Sequence, residues 1–197
     1  MDGLFHTVLA GANVGVFSLA AAAFLVRLLI VPFLPGRHDE GSGEKRWAAG
    51  ADQVAYVAAA VGLFLAVLTG LTGAFATWPM EAIQGTVLAR NKLGVTATLL
   101  TAWGMFVLLR RQAGPALWEH GVLRGWSAFL VLVGFGATML AGSMGGSASL
   151  KGTLVEPALQ ALDVNRFQAL SWPPAVSVLL ILVALALLLY RPGRTAP

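Results

Sequence analysis

Five long apolar runs divide this chain, and they limit its fold more strongly than any other feature of the sequence. The runs cover about residues 5–34, 52–78, 90–110, 125–145 and 173–190. A helix needs about 20 consecutive apolar residues to cross a bilayer, and each run is close to that length or longer. The sequence therefore predicts an all-α, polytopic transmembrane bundle of four core helices plus a C-terminal fifth, in a single membrane domain over 1–197.

Composition agrees with a membrane environment and excludes several kinds of site. Only 11% of the residues are charged and the mean hydropathy is +0.77, whereas soluble domains carry about 25% charged residues. The absence of cysteine excludes disulfides, thiolate metal sites and cysteine-ligated iron–sulfur clusters. The 13 lysines and arginines are scattered at helix ends and form no dense stripe, so we do not expect nucleic-acid binding.

The distribution of the cations predicts how the bundle is oriented. With the N-terminus outside, 12 of the 13 divide into eight in inner segments and four in outer ones, and Arg27 lies within the first run. The inner set is Arg37, Lys45, Arg46, Arg110, Arg111, Arg124, Arg191 and Arg194, and the outer set is Arg90, Lys92, Lys151 and Arg166. Because short loops rich in Lys and Arg stay in the cytoplasm, this favours N-out/C-in in a bacterial inner membrane. An amphipathic interfacial helix is predicted over about 154–170.

Small residues recur at four-residue spacing on two of the predicted helices. The second helix carries Gly62, Ala66, Gly70 and Ala74, and the fourth carries Gly134, Thr138, Gly142 and Gly146. Such a face has almost no side chain, so another backbone can lie against it. We expect both seams to pack helices, with the two seams facing each other, and the fourth helix to form the packing axis.

Few residues offer a ligand set for a cofactor. The only histidines are His6, His38 and His120, and the predicted topology places His6 on the side opposite to the other two. A bis-histidine haem is therefore not expected. A haem b would require His6 with a methionine, Met139 or Met144, although methionine on an apolar helix is more often a filler of space. No metal site is predicted.

A polar cluster is predicted at the outer ends of the helices. Its members are Glu81, Arg90, Asn91, Lys92 and Lys151. These side chains suit a lipid phosphate, a quinone head group or a protein partner. The alternative interpretation is that they are interface anchors and helix-end charges.

Several segments resemble one bacterial membrane family. They are DQVAYVAAAVGLFLAVLTGLTG, RNKLGVTATLLTAWGMFVLLRR and LAGSMGGSASLKGT, and together with the spacing between them they resemble the four-helix family known as domain of unknown function 2231 over about residues 5–153. The family's T-G-L step corresponds to residues 69–71, and its glycine pattern to Gly142, Gly145, Gly146 and Gly152.

The chain departs from the histidine pattern of that family. Members often carry two histidines early in the first helix and another at the start of the third. Here only His6 is kept, with Ala10 or Gly11 at the second place and Arg90 or Asn91 at the third. Family members accompany electron-transfer proteins, so the resemblance implies an electron-transfer setting without implying an activity.

Three functions remain open from the sequence. The first is a non-catalytic integral-membrane subunit of a bacterial energy-converting complex, respiratory or photosynthetic, that packs against other subunits and contacts lipid or quinone. The second is a b-type cytochrome. The third is a small transporter, which is disfavoured because the centres of the predicted spans carry no Asp, Glu, His or Lys.

Overall fold

The structure is a computed structural model that describes residues 3–33, 43–76, 87–148 and 174–189. These residues form five α-helices: α1 Gly3–Leu25, α2 Gly43–Ala76, α3 Val87–Ala113, α4 Gly121–Ala148 and α5 Pro174–Leu189. Four helical segments, Phe5–Phe33, Lys45–Gly73, Val87–Leu117 and Gly121–Gly145, are long and apolar enough to cross a membrane. The described ranges contain no β-strand. The prediction of an all-α, multi-pass membrane bundle is confirmed.

Consecutive helices of the first four run in opposite directions. His6 near the start of α1 contacts Thr72 near the end of α2, and Asp52 near the start of α2 bonds Arg110 near the end of α3. Lys92 near the start of α3 lies beside Gly145 near the end of α4. We call these two ends of the bundle the His6 end and the Asp52 end. The prediction that the His6 end faces outwards stays a prediction.

The end of α1 is wound differently from the rest of the helix. Val26–Ile30 form a wide π turn, in which the Val31 amide donates to the Val26 carbonyl, and Val31–Phe33 continue as a 3-10 turn. Pro32 supplies the physical reason, because it has no amide hydrogen for the Leu28 carbonyl and its ring crowds the preceding turn. The predicted end of the first run, at residue 34, lies just outside the described residues.

Helix α2 begins nine residues before the predicted start of the second span. It starts at Gly43, whereas the predicted second span starts at Asp52. Residues 44–49 are Glu, Lys, Arg, Trp, Ala and Ala, and most of these are strong helix formers. The helix therefore continues into a polar extension, and Asp52 lies inside it.

A column of aromatic rings forms the centre of the core. Phe17 stacks on Trp103 with ring centroids 4.8 Å apart, and Trp103 meets Phe106 edge to face at 5.9 Å. Phe24 contacts Phe106 at 5.7 Å and Trp118 at 5.3 Å. This aromatic column (Phe17, Trp103, Phe106, Phe24 and Trp118) joins α1 to α3 and runs from mid-bundle to the Asp52 end. Such ring pairs add about 0.5–1.5 kcal/mol each beyond their buried area.

The two small-residue seams do not face each other, which corrects the expectation from the sequence. A Cβ at Gly62 would lie 2.6 Å from the ring of Phe17 on α1, and one at Gly134 would lie 2.9 Å from Nε1 of Trp103 on α3. Each glycine thus makes room for a large aromatic ring, where the sequence predicted a neighbouring backbone. Gly70 has open space beside it.

The remaining seam residues support contacts of α4 with its neighbours. Thr138 is fully buried, donates to the Gly134 carbonyl at 2.7 Å and accepts from Trp103 Nε1 at 3.3 Å. A Cβ at Gly142 would lie 3.3 Å from Val14 of α1. The surroundings of Gly146 and Ala74 lie outside what the structure describes.

Helix α5 packs on α3. The Thr101 hydroxyl donates to the Leu180 carbonyl of α5 at 3.2 Å. Most of the described α5 side chains are exposed, including Val178, Leu179 and Leu182. With 16 residues, Pro174–Leu189 is shorter than the about 20 that a full crossing needs. The fifth crossing therefore stays a prediction, and the interfacial helix at 154–170 lies outside the described residues.

Candidate functional site at the two ends of the bundle

His6 occupies a polar contact between α1 and α2. Its Nδ1 lies 3.2 Å from the Thr72 hydroxyl oxygen. The same hydroxyl lies 3.0 Å from the Leu68 carbonyl, which accepts its proton. In the tautomer in which Nδ1–H donates to Thr72 Oγ1, Nε2 carries the lone pair of the neutral histidine. This is the form in which a histidine, oriented by a hydrogen bond at its other nitrogen, binds a metal ion or accepts a proton from a ligand.

Two glycines make room for the basic side chains at the His6 end. A Cβ at Gly73 would lie 3.0 Å from His6 Cε1, and one at Gly145 would lie 3.2 Å from Lys92 Nζ. Neither glycine belongs to the seams that the sequence analysis singled out. Their role depends on side chains of other helices, so spacing along the chain gives no signal of it.

Three members of the predicted outer cluster lie at the His6 end. Arg90, Asn91 and Lys92 are in the second turn of α3, with Asn91 buried and the two cations half-buried. Lys92 lies within electrostatic range of His6. Glu81 and Lys151 lie outside the described residues. His6 was considered as a haem ligand and the cluster as a lipid or quinone site. In the structure the two lie at the same end of the bundle.

Buried polar atoms accompany this cluster. Within the described part of the chain, Arg90 Nε is buried without a hydrogen-bond acceptor and Asn13 Oδ1 is buried without a donor. Asn13 follows His6 by seven residues, so both lie on the same face of α1. Asn13 is therefore about 10 Å deeper in the bundle than His6.

The methionines predicted as haem ligands lie on α4. Met144 is buried and Met139 is half-buried. The structure assigns Thr72 as the neighbour of His6 Nδ1, and the described residues hold no group of three or more His, Asp or Glu side chains. The chemistry visible at the His6 end is thus a histidine beside cationic donors, and it is the Lys92 and Arg90 donors that suit hydrogen bonding to a quinone or phosphate oxygen.

A second polar site at the Asp52 end was not predicted. Asp52 is only 7% exposed. Arg110 Nε donates to both of its oxygens at 2.9 Å, and Arg110 Nη2 donates to Oδ2. Trp118 Nε1 donates to Oδ1 at 2.8 Å. The Asp52 carboxylate therefore accepts hydrogen bonds from Arg110 on α3 and from Trp118, which directly follows the 3-10 turn Gly114–Leu117.

Arg27 completes what we call the Asp52 cluster: Asp52, Arg110, Trp118 and Arg27. The Arg27 guanidinium carbon lies 4.7 Å from the centroid of the Trp118 ring, within the range of a cation–π contact. The cluster thereby ties α1, α2 and α3 together at one end. From the sequence Arg110 was noted only as one of the inner cations and Arg27 only as lying within the first run, and the pairing of these residues in space reveals the site.

Comparison with known proteins adds no assignment. The chain matches no protein-family model, no curated protein and no solved structure. The resemblance to domain of unknown function 2231 therefore stays a prediction.

Proposed function

We propose that this protein is a non-catalytic integral-membrane subunit of an energy-converting electron-transfer complex, respiratory or photosynthetic, in a bacterial inner membrane. In this role it packs against other membrane subunits and contacts lipid or quinone at the His6 end. The observation that carries the proposal is the outward face of α1. Its residues have no partner helix among those described, although they have the pattern of a helix–helix interface.

That face is built from small residues. Gly11 and Gly15 form a GxxxG step, both are exposed, and a Cβ at either would meet nothing within 4 Å. Val8 and Ala22 lie on the same face and are also exposed. In lipid, close backbone approach at such steps is a main source of association between helices. A GxxxG face turned towards lipid is therefore suited to a helix of another subunit.

The first prediction concerns this face. We expect the double variant Gly11→Leu/Gly15→Leu to lose co-purifying membrane subunits by about tenfold, equivalent to about 1.4 kcal/mol, because the added side chains hold a partner helix away. The measurement is a quantitative mass-spectrometric subunit count after extraction of native membranes in a mild detergent.

The matched control is Gly70→Leu/Gly136→Leu, which places the same side chains at two other exposed positions with open space. It should retain the partners. An isolated, monodisperse wild-type protein in mild detergent, or equal partner retention by both double variants, would contradict the proposed function.

The His6 geometry favours a second candidate, a b-type cytochrome. Its support is the contact of Nδ1 with the Thr72 hydroxyl, because the tautomer in which Nδ1–H donates there has Nε2 available to bind iron. If this candidate is right, the protein purified from native membranes has a Soret band, His6→Ala removes most of it, and His120→Ala at an exposed position leaves it unchanged. A spectrum without a Soret band in the wild-type protein would dismiss this candidate.

A further inference from the structure

We propose that the groove between α1 and α2 binds one acyl chain of an anionic phospholipid, whose phosphate is held by Arg46. The groove has a volume of about 450 Å³ and is open at the bundle surface. Its lining includes Val16 and Leu19 of α1 and Gln53, Val54, Val57 and Val61 of α2. The lining brings no charged side chain into the groove, so its natural occupant is an apolar chain.

The order of residues along α2 matches the depth profile of a phospholipid. Lys45 and Arg46 stand at the start of the apolar span Lys45–Gly73, and Trp47, which is 70% exposed, follows at the level that interfacial tryptophans prefer. Gln53 marks the near end of the groove and Val61 its deep end. Head-group, interface and acyl-chain levels therefore follow one another on a single helix.

Arg46 is placed to serve the groove. Gln53 follows it by seven residues, which is nearly two turns, so both lie on the same face about 10 Å apart along the axis. Arg46 and Lys45 are both exposed. A flexible arginine can extend towards the groove opening and donate two parallel hydrogen bonds to a phosphate. The two adjacent cations favour a lipid with net negative charge over a zwitterionic one.

The size of the groove separates this occupant from a protein helix. A helix with its side chains is about 10 Å wide and would cover a face of the bundle, whereas this open groove of about 450 Å³ is of a size for part of one acyl chain. Leu19 follows Gly15 by four residues, so the groove adjoins the Gly11 and Gly15 face of α1, while the rest of its lining comes from Val16 and from α2. The test below measures lipid retention and not partner retention, so the two proposals can fail separately.

The experiment is native mass spectrometry of the full-length protein in detergent, with equal amounts of phosphatidylglycerol and phosphatidylcholine of identical acyl chains. We expect the wild-type protein to retain one phosphatidylglycerol in preference to phosphatidylcholine. Arg46→Gln should lower that preference about fivefold, the equivalent of about 1 kcal/mol for one cation at the surface. Val57→Phe, from an exposed position in the groove, should lower the retention of both lipids.

Two matched controls isolate the site. Arg124→Gln removes an exposed arginine at the same end of the bundle, and Val122→Phe enlarges an exposed valine on α4. Both should bind lipid as the wild type does. Equal retention of the two lipids by the wild type, or unchanged retention in Arg46→Gln and Val57→Phe, would overturn the inference.

Discussion

Asp52→Ala is expected to destabilise the bundle by about 3 kcal/mol. The change leaves the Arg110 guanidinium, whose side chain is 16% exposed, without its anion, and it removes the acceptor of Trp118 Nε1. Loss of one partner from a buried ion pair costs about 3–5 kcal/mol because the other charge stays desolvated. We place the effect at the low end, because an arginine near a helix end can redirect its charge to the membrane interface.

A double-variant cycle separates this loss of pairing from a loss of packing. Arg110→Met should also be destabilising, because it leaves the buried Asp52 carboxylate without its cation. Asp52→Ala/Arg110→Met should be more stable than Asp52→Ala alone, since no unpaired charge remains. Glu119→Ala, an exposed acid at the same end, should change stability by less than about 0.5 kcal/mol. The measurement is reversible denaturation in mixed micelles. An Asp52→Ala midpoint equal to that of Glu119→Ala would show that the pair does not stabilise the fold.

Gly62→Leu is expected to disrupt the core, and Gly70→Leu on the same seam is expected to be tolerated. Even a Cβ at Gly62 would lie 2.6 Å from the Phe17 ring, and that ring is fully buried and stacked on Trp103. Overpacking typically costs about 1–3 kcal/mol, and a leucine against a ring that cannot move should cost at least about 3 kcal/mol. A Cβ at Gly70 meets nothing within 4 Å.

Both variants replace a glycine of the same α2 seam by leucine, so a difference between their stabilities reports on the contact of Gly62 with the Phe17 ring. We expect Gly62→Leu to lower the thermal midpoint in detergent and to give a broad size-exclusion profile, while Gly70→Leu matches the wild type. Phe17→Ala should recover part of the stability of Gly62→Leu, because it opens space for the new side chain. Similar midpoints for both leucine variants would mean that Gly62 does not hold the Phe17 ring.

Hydropathy predicted the ends of a helix well where the apolar run covers almost the whole helix. The third and fourth spans were placed at about 90–110 and 125–145, and α3 and α4 extend only three to four residues beyond these limits. It failed at α2, because residues 43–51 continue the helix with polar and small side chains. A bilayer-based criterion detects where a helix is apolar, and it gives no information about where the hydrogen-bonded helix begins.

The sequence did not reveal which side chains of other helices pack against each helix face. Four-residue spacing identified Gly62 and Gly134 as positions on a packed face, but the rings that fill the space, Phe17 and Trp103, are on other helices. Asp52 and Arg110 are 58 residues apart, and each alone resembles an ordinary helix-end charge. His6 and Lys92 were likewise assigned to different sites. In each case the missing information is which helices are adjacent and how each is rotated about its axis.

The π turn at Val26–Ile30 bears on how this chain tolerates a change in the number of residues at the end of α1. A π turn accommodates one extra residue and rotates the following side chains by about 100° relative to a regular helix. Upstream of it, Phe17 and Phe24 are fixed by their contacts in the aromatic column, and downstream Val31 is again buried. The turn thus acts as a spacer between two fixed registers. Loss of one residue from this turn would return it to regular α-helical winding, and we expect the aromatic contacts upstream and the burial of Val31 downstream to survive it.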